Sequence, residues 1–122
     1  MTEVYDTNNI FARILRGEIP CKKVHESDFA LAFHDIHPQA PLHVLVIPKG
    51  PYINFADFTA KASEAEIAGF FRTAREVADQ LGLLEPGFRG LFNNGVNGYQ
   101  EVHHFHLHLL GGKKLGPMLV QD

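Results

Sequence analysis

The run Val102-His103-His104-Phe105-His106-Leu107-His108-Leu109-Leu110 constrains this chain more than any other stretch. In a β-strand, side chains alternate faces with a period of two. His104, His106 and His108 then share one face, and Phe105, Leu107 and Leu109 share the other. A helix, at about 100° per residue, would spread the three imidazoles over roughly 200° and mix them with the apolar side chains. The strand is therefore expected, half-buried, with a row of imidazoles whose Cα atoms lie ~6.7 Å apart. His103 falls on the apolar face with Phe105 and reads as structural.

A chain of 122 residues fits one domain, expected to run over 1–122, and is long enough to bury a core without staples. Its net charge of −3 argues against a general nucleic-acid binder. The lone Cys21 allows no intramolecular disulfide, and the polar start Met1-Thr2-Glu3-Val4-Tyr5-Asp6 lacks the pattern of a signal peptide. No apolar run reaches the ~20 residues of a bilayer span. A cytosolic (cytoplasmic) protein without a membrane partner is expected.

Ile10, Phe11, Ile14 and Leu15 follow the cap-rich Asp6-Thr7-Asn8-Asn9 and predict a short helix before Gly17 and Pro20. Residues 22–26 and 29–33 read as two strands around a Ser27-Asp28 turn. Pro38-Gln39-Ala40-Pro41 is a rigid turn. His43-Val44-Leu45-Val46-Ile47 is then a central strand covered on both faces and stopped by Pro48. Pro51 to Thr59 reads as irregular. Ser63-x-x-Glu66 opens a long helix whose apolar stripe is Ile67, Phe70, Phe71, Ala74, Val77, Ala78 and Leu81, with Gly82 as its stop. Phe88 to Phe92 is a strand, and two Asn-Gly steps in residues 93–98 suit a turn with positive φ. The expected fold is α+β, an antiparallel sheet with one long and one short helix, in which the histidine strand neighbours residues 88–92.

Of eight histidines, His25, His34 and His37 are given no role, since single imidazoles at intermediate burial are common. His104, His106 and His108 are candidates for function because a row of mutually repelling titratable rings is poor structural filler. His43 shares its face with Leu45 and Ile47 and is a candidate to meet the row across the sheet. A zinc site would need imidazole nitrogens about 2.0–2.1 Å from the metal. His104 and His108, ~13 Å apart on a straight strand, make an awkward clamp, and His106 and His108 with His43 a better one. The other chemistry is nucleophilic. A neutral imidazole attacks phosphorus, His106 is central and flanked by rings that can meet phosphate oxygens, and no metal is needed. Neither glycine-rich phosphate loop, Gly-x-x-x-x-Gly-Lys-Ser/Thr or Gly-x-Gly-x-x-Gly, is present.

His104-Phe105-His106-Leu107-His108-Leu109-Leu110 followed by Gly111-Gly112 resembles the signature of the histidine triad (HIT) family, in its Hint branch. The resemblance extends to residues 10–20, to Ala32 through His43, to Gln100-Glu101-Val102 and to Gly116-Pro117-Met118-Leu119, so it covers nearly the whole chain. It implies a homodimeric hydrolase that cleaves purine nucleoside 5′-phosphoramidates and related nucleoside monophosphate esters. By position, it implies that His106 is the nucleophile that becomes nucleotidylated. His104, His108 and His43 would support it, and His106 and His108 would also contact the nucleotide. Asp35 would bind the ribose hydroxyls, Ile36 would line the base pocket, and Asn93, Tyr99, Gln100 and Glu101 would hold the phosphate and leaving-group side. Tyr99 stands where the family usually has glycine, and His103 where tyrosine is common.

Three readings follow: metal- and cofactor-independent hydrolysis through nucleotidyl-His106, a zinc-binding protein that uses the imidazoles as ligands, and a non-catalytic nucleotide-binding regulator. The first is favoured because the same-face histidine row lies inside a chain-length resemblance.

Overall fold

A computed structural model of the chain describes residues 3–119; Met1 and Thr2 of the polar start, and residues 120–122 with the Gln121-Asp122 end, lie outside the described residues. Helix α1 (Ile10–Leu15) starts where the Asn9 side chain accepts the Ala12 amide at 2.9 Å. Strands β1 (Lys23–Glu26) and β2 (Ala30–His34) are joined by a turn in which Ser27 Oγ accepts the amides of Phe29 and Ala30. Strand β3 (Leu42–Pro48) is buried along nearly its whole length. Helix α3 (Glu64–Gln80) carries the expected Ser63/Glu66 capping box. Strands β4 (Arg89–Leu91) and β5 (Leu107–Gly111) complete an antiparallel sheet of order β1-β2-β3-β5-β4. The class is α+β, as expected.

Alternation along β3 divides the core. Val44 and Val46 face α3 with Ala30, Ala32, Phe70, Val77, Phe105, Leu107 and Leu109. Leu45 and Ile47 face α1 with Phe11, Leu31 and Phe33. On the α3 stripe, Phe71 is 41% exposed whereas Thr73 is buried. Thr73 is tolerated inside because its hydroxyl donates to the Gly69 carbonyl at 2.7 Å and meets Ser27 Oγ at 2.8 Å. No helix among the described residues is long and apolar enough to cross a membrane.

Four expectations need correction. Residues 51–59 are not all irregular: helix α2 (Phe55–Lys61) is capped by Asn54, whose side chain accepts the Asp57 amide at 2.8 Å, and is braced by a Lys61–Asp57 ion pair. Its Phe58 is fully buried and stacks on Phe105 at 5.1 Å, so packing holds a helix too short to stand on propensity alone. The strand expected over residues 88–92 is trimmed to Arg89–Leu91.

The histidine strand is also shorter than expected, since regular pairing covers only Leu107–Gly111. In the β3–β5 register Val46 faces Leu107, so Pro48 would face Phe105, and proline has no N–H for the ladder. The stretch before residue 107 finds partners elsewhere. The Phe105 amide donates to the Tyr52 carbonyl at 2.7 Å, and the Gln100 side chain donates to the Val102 and Ile53 carbonyls. His103 is therefore not on the apolar face; it is exposed and pairs with Glu3.

The turn over residues 93–98 has one positive φ on its glycines, at Gly95 (74°), and a second on Tyr99 (60°) rather than on Gly98. Gly98 is needed for a close approach, since a Cβ there would lie 2.7 Å from the Asn94 carbonyl oxygen. Tyr99 is 76% exposed, so its replacement by glycine removes little packing. A left-handed non-glycine residue costs about 1–2 kcal/mol and glycine about 0.5–1 kcal/mol in unfolded-state entropy. Tyr99→Gly is expected to raise the thermal midpoint by a few degrees, about 1 kcal/mol, in a calorimetric scan. A lower midpoint would show that the tyrosine ring contributes more than its backbone costs.

Candidate active site

The α1-facing side of the sheet brings His43 on β3 diagonally against His108 on β5, two residues out of direct register, because Leu45 is the partner of His108 and Leu110 the partner of His43. His43 is 3% exposed, His104 0% and His106 7%. Between them the hydrogen bonds assign the proton of each ring. The Gln39 amide donates to His43 Nδ1 at 3.0 Å, so a neutral His43 carries its proton on Nε2. That proton is donated to His108 Nδ1 at 2.9 Å, with Asp35 Oδ2 3.4 Å away. His108 is thereby left with its proton on Nε2, a buried donor without a hydrogen-bond partner among the described residues.

His106 is oriented from the other side. Its Nδ1–H donates to the His104 carbonyl at 2.8 Å, which leaves the lone pair on Nε2. Its ring stands edge-on to Phe11 at 5.0 Å and to His108 at 5.0 Å. His104 itself turns away, with Nε2–H donating to the Pro48 carbonyl at 2.9 Å and Nδ1 accepting the Tyr5 hydroxyl at 2.6 Å.

All four rings are held neutral at pH 7. Burial pulls His104 down to about 4, only partly offset by its bond to Pro48. Burial, then repulsion from His106 and His43, takes His108 to about 4. Burial lowers His106 and His43 as well, opposed for both by the Asp35 carboxylate and for His106 also by the Glu101 carboxylate.

Two cavities meet at His106 and His108. The first, about 310 Å³, is walled by Phe11, Ile14, Ile19, Cys21, Phe33, Asp35, Ile36, Leu45 and Val102 among others, and has the mainly apolar lining, with polar groups set into it, of a small-molecule pocket. His34 and His37, given no role above, also lie on its wall. The second, about 350 Å³, is lined by Gln39, His43, Leu91, Asn93, Tyr99, Glu101 and Leu110 beside the two shared imidazoles.

Of the expected site residues, Asp35 and Ile36 border the first cavity, Asn93, Tyr99 and His43 the second, and Glu101, His106 and His108 both. Gln100 lines neither. Its amide is consumed in bracing the loop, accepting from the Gly95 amide and donating to the Ile53 and Val102 carbonyls. His104 lines neither cavity. The sequence reading missed Gln39, which acts through its backbone and so leaves no side-chain signature. It missed Phe11 because that residue reads simply as the apolar face of a helix.

Asp35, His43 and His108 place ligand atoms within 4.8 Å of one another, which raises the question of a metal. A metal on His43 Nε2 would push the ring proton to Nδ1, against the Gln39 N–H that already points there at 3.0 Å. Two donors would then face each other, so this donor set does not fit a divalent cation.

The HIT domain family model matches residues 16–115. The chain is 60% identical over 121 residues to an uncharacterised HIT-like protein of Azospirillum brasilense, covering 99% of each chain. It is 44% identical over 110 residues to the purine nucleoside phosphoramidase of Escherichia coli, covering 90% of this chain and 92% of that one. Among solved structures it is similar to a histidine triad protein from Clostridium difficile (TM-score 0.85, 38% identity, 95% of this chain and 100% of that one). It is also similar to a HIT family hydrolase from Legionella pneumophila (TM-score 0.82, 44% identity, 89% and 96%). Matched along nearly its whole length, with His43, His106 and His108 brought together on one side of the sheet, the chain belongs to the HIT domain family.

Proposed function

We propose that this chain, working as one HIT domain over residues 1–122, hydrolyses purine nucleoside 5′-phosphoramidates and related nucleoside monophosphate esters through a nucleotidyl-His106 intermediate. The observation that carries the reading is the bond from His106 Nδ1–H to the His104 carbonyl, which leaves a neutral Nε2 lone pair between the two cavities. In the first step that lone pair attacks phosphorus, a bond forms to Nε2, and the phosphorus–nitrogen bond breaks as the amine leaves with a proton taken from solvent. In the second, water attacks phosphorus and gives up a proton to solvent, the bond to Nε2 breaks, and the nucleoside monophosphate departs with His106 neutral again.

The Nε2–H of His108, without a hydrogen-bond partner among the described residues, is suited to donate to a non-bridging phosphate oxygen as charge builds up, with His43 behind it fixing its tautomer. Asp35 is assigned to the ribose hydroxyls and Ile36 to the base, consistent with their place on the apolar cavity. Asn93, Tyr99 and Glu101 are assigned to the phosphate and leaving-group side, with Gln100 as the brace of their loop. Among the described residues, those lining the second cavity include no lysine or arginine and do include Glu101. A phosphorus centre with one negative charge suits that wall better than a dianion or a polyphosphate. We also propose a homodimer, supported by the outer strand β4 and by the groove of half-exposed Phe71, Leu84, Phe88 and Phe92 beside it.

Quenching the protein in acid during turnover of adenosine 5′-phosphoramidate should reveal an intact mass increased by one adenylyl group, mapped to His106. Turnover without that adduct would overturn the mechanism. Activity should be unchanged after exhaustive chelation, and loss with recovery on adding zinc would revive the metal reading.

A further inference from the structure

His104 is buried yet lines neither cavity, so what fixes its ring is a separate matter from what binds substrate. Its Nε2–H is anchored on Pro48 at the end of β3. Its Nδ1 is anchored on Tyr5, at 2.6 Å and 99 residues away in the chain. The Tyr5 ring stands edge-on to the imidazole at 5.7 Å. The neighbouring residues fasten the same segment: Glu3 pairs with His103, Asn9 caps α1, and the Phe11 ring abuts both His104 and His106. Tyr5 lines neither cavity.

We propose that Tyr5 is a positioning residue for His106: its hydroxyl donates to His104 Nδ1, fixes the Nε2–H tautomer that grips Pro48, and so holds the His104 carbonyl where it receives the Nδ1–H of His106. This rests on the hydrolase reading above and extends it to a side chain outside the site. Without the hydroxyl, Nδ1 becomes a buried acceptor with no donor, a loss commonly relieved by a ring flip or a water. A flip takes Nε2–H off Pro48, and either response loosens the hold on the His104 carbonyl and, with it, the tautomer and aim of the His106 ring. Burial raises the Tyr5 phenol above its usual range, with Arg16 and Asp6 as the nearby charges, so at neutral pH it is a donor.

The test is Tyr5→Phe in the full-length protein, with kinetics and ring-nitrogen NMR of the nucleotide-free form. We expect kcat to fall about tenfold, KM to stay within about twofold, and the ring signals of His104 and His106 to move together. Unchanged kcat, a loss confined to KM, or unmoved His106 signals would overturn the proposal. Should the phenylalanine variant fold poorly, a fluorinated tyrosine at position 5 keeps the shape but loses its proton at lower pH. The alkaline fall in kcat should then shift downward, and an unshifted profile overturns the proposal. The NMR signals require no turnover, so a failure here is distinguishable from failure of the hydrolase reading, which the adduct experiment addresses.

Discussion

His106→Ala is expected to lower kcat on a nucleoside phosphoramidate by about 10⁴-fold or more while leaving nucleotide affinity within about tenfold. The asymmetry follows from the geometry. His106 is one of many residues on the first cavity, so its ring supplies a small part of the surface that meets a nucleoside. In the proposed mechanism it supplies the whole of the reacting lone pair. The adenylyl adduct should vanish with the activity, and equilibrium dialysis with the nucleoside monophosphate should still register binding. A variant that retains activity within about tenfold would assign the nucleophile elsewhere. His108 Nδ1 already accepts from His43, so the neighbouring ring has no free lone pair to take over.

Acid should unfold this protein at unusually mild pH. His104 sits at about 4 in the folded chain against 6.5 for an ordinary imidazole, because a charged ring there would be cut off from water. Between those two values the unfolded chain binds a proton that the folded chain refuses, so stability falls as pH falls. The contribution is complete above 6.5, shrinks through the interval, and is gone below about 4. For His104 alone it amounts to about 3 kcal/mol, and His108 acts in the same direction. Urea midpoints measured from pH 7.5 down to about 4.5 should drop steadily, and His104→Gln should flatten the profile. A midpoint independent of pH over that interval would mean that the buried rings acquire protons without penalty. Activity should follow a different curve: burial lowers His106 as well, so its neutral form persists below 6.5, and the acidic fall in kcat at constant folding lies under that value.

Much of the site could be read from alternation alone. Phe105, Leu107 and Leu109 do pack into the α3-facing core, and the histidines between them turn to the other side, because a period of two is set by the pleat. His43 was legible for the same reason, since its strand is central and its face is fixed by Leu45 and Ile47. The bend before Leu107 was not, although its cause, Pro48, was in plain view: a strand's length depends on donors of a partner whose register the sequence does not state. His103 was misplaced as a direct result. Helix α2 was missed because seven residues have no propensity to form a helix unaided, and its capping pair, Asn54 and Asp57, resembles any polar turn. The Gln39 and Tyr5 bonds to histidine rings were the least legible. One is made by a backbone amide and the other spans nearly the whole chain, and neither leaves a local pattern.

Two openings onto a single pair of imidazoles separate the traffic of the proposed reaction. With the nucleoside seated in the apolar cavity, the leaving amine departs by the other mouth, the one bordered by Asn93, Tyr99 and Glu101. In-line attack on the intermediate comes from opposite His106, the side the amine has just left, so water follows the amine's route inward. The nucleoside need not move between the two steps. Under the proposed mechanism product release is ordered, amine first and nucleotide last. The nucleotide alone competes with substrate for the empty protein, whereas an added amine meets the loaded one and can recapture the nucleotidyl group in place of water.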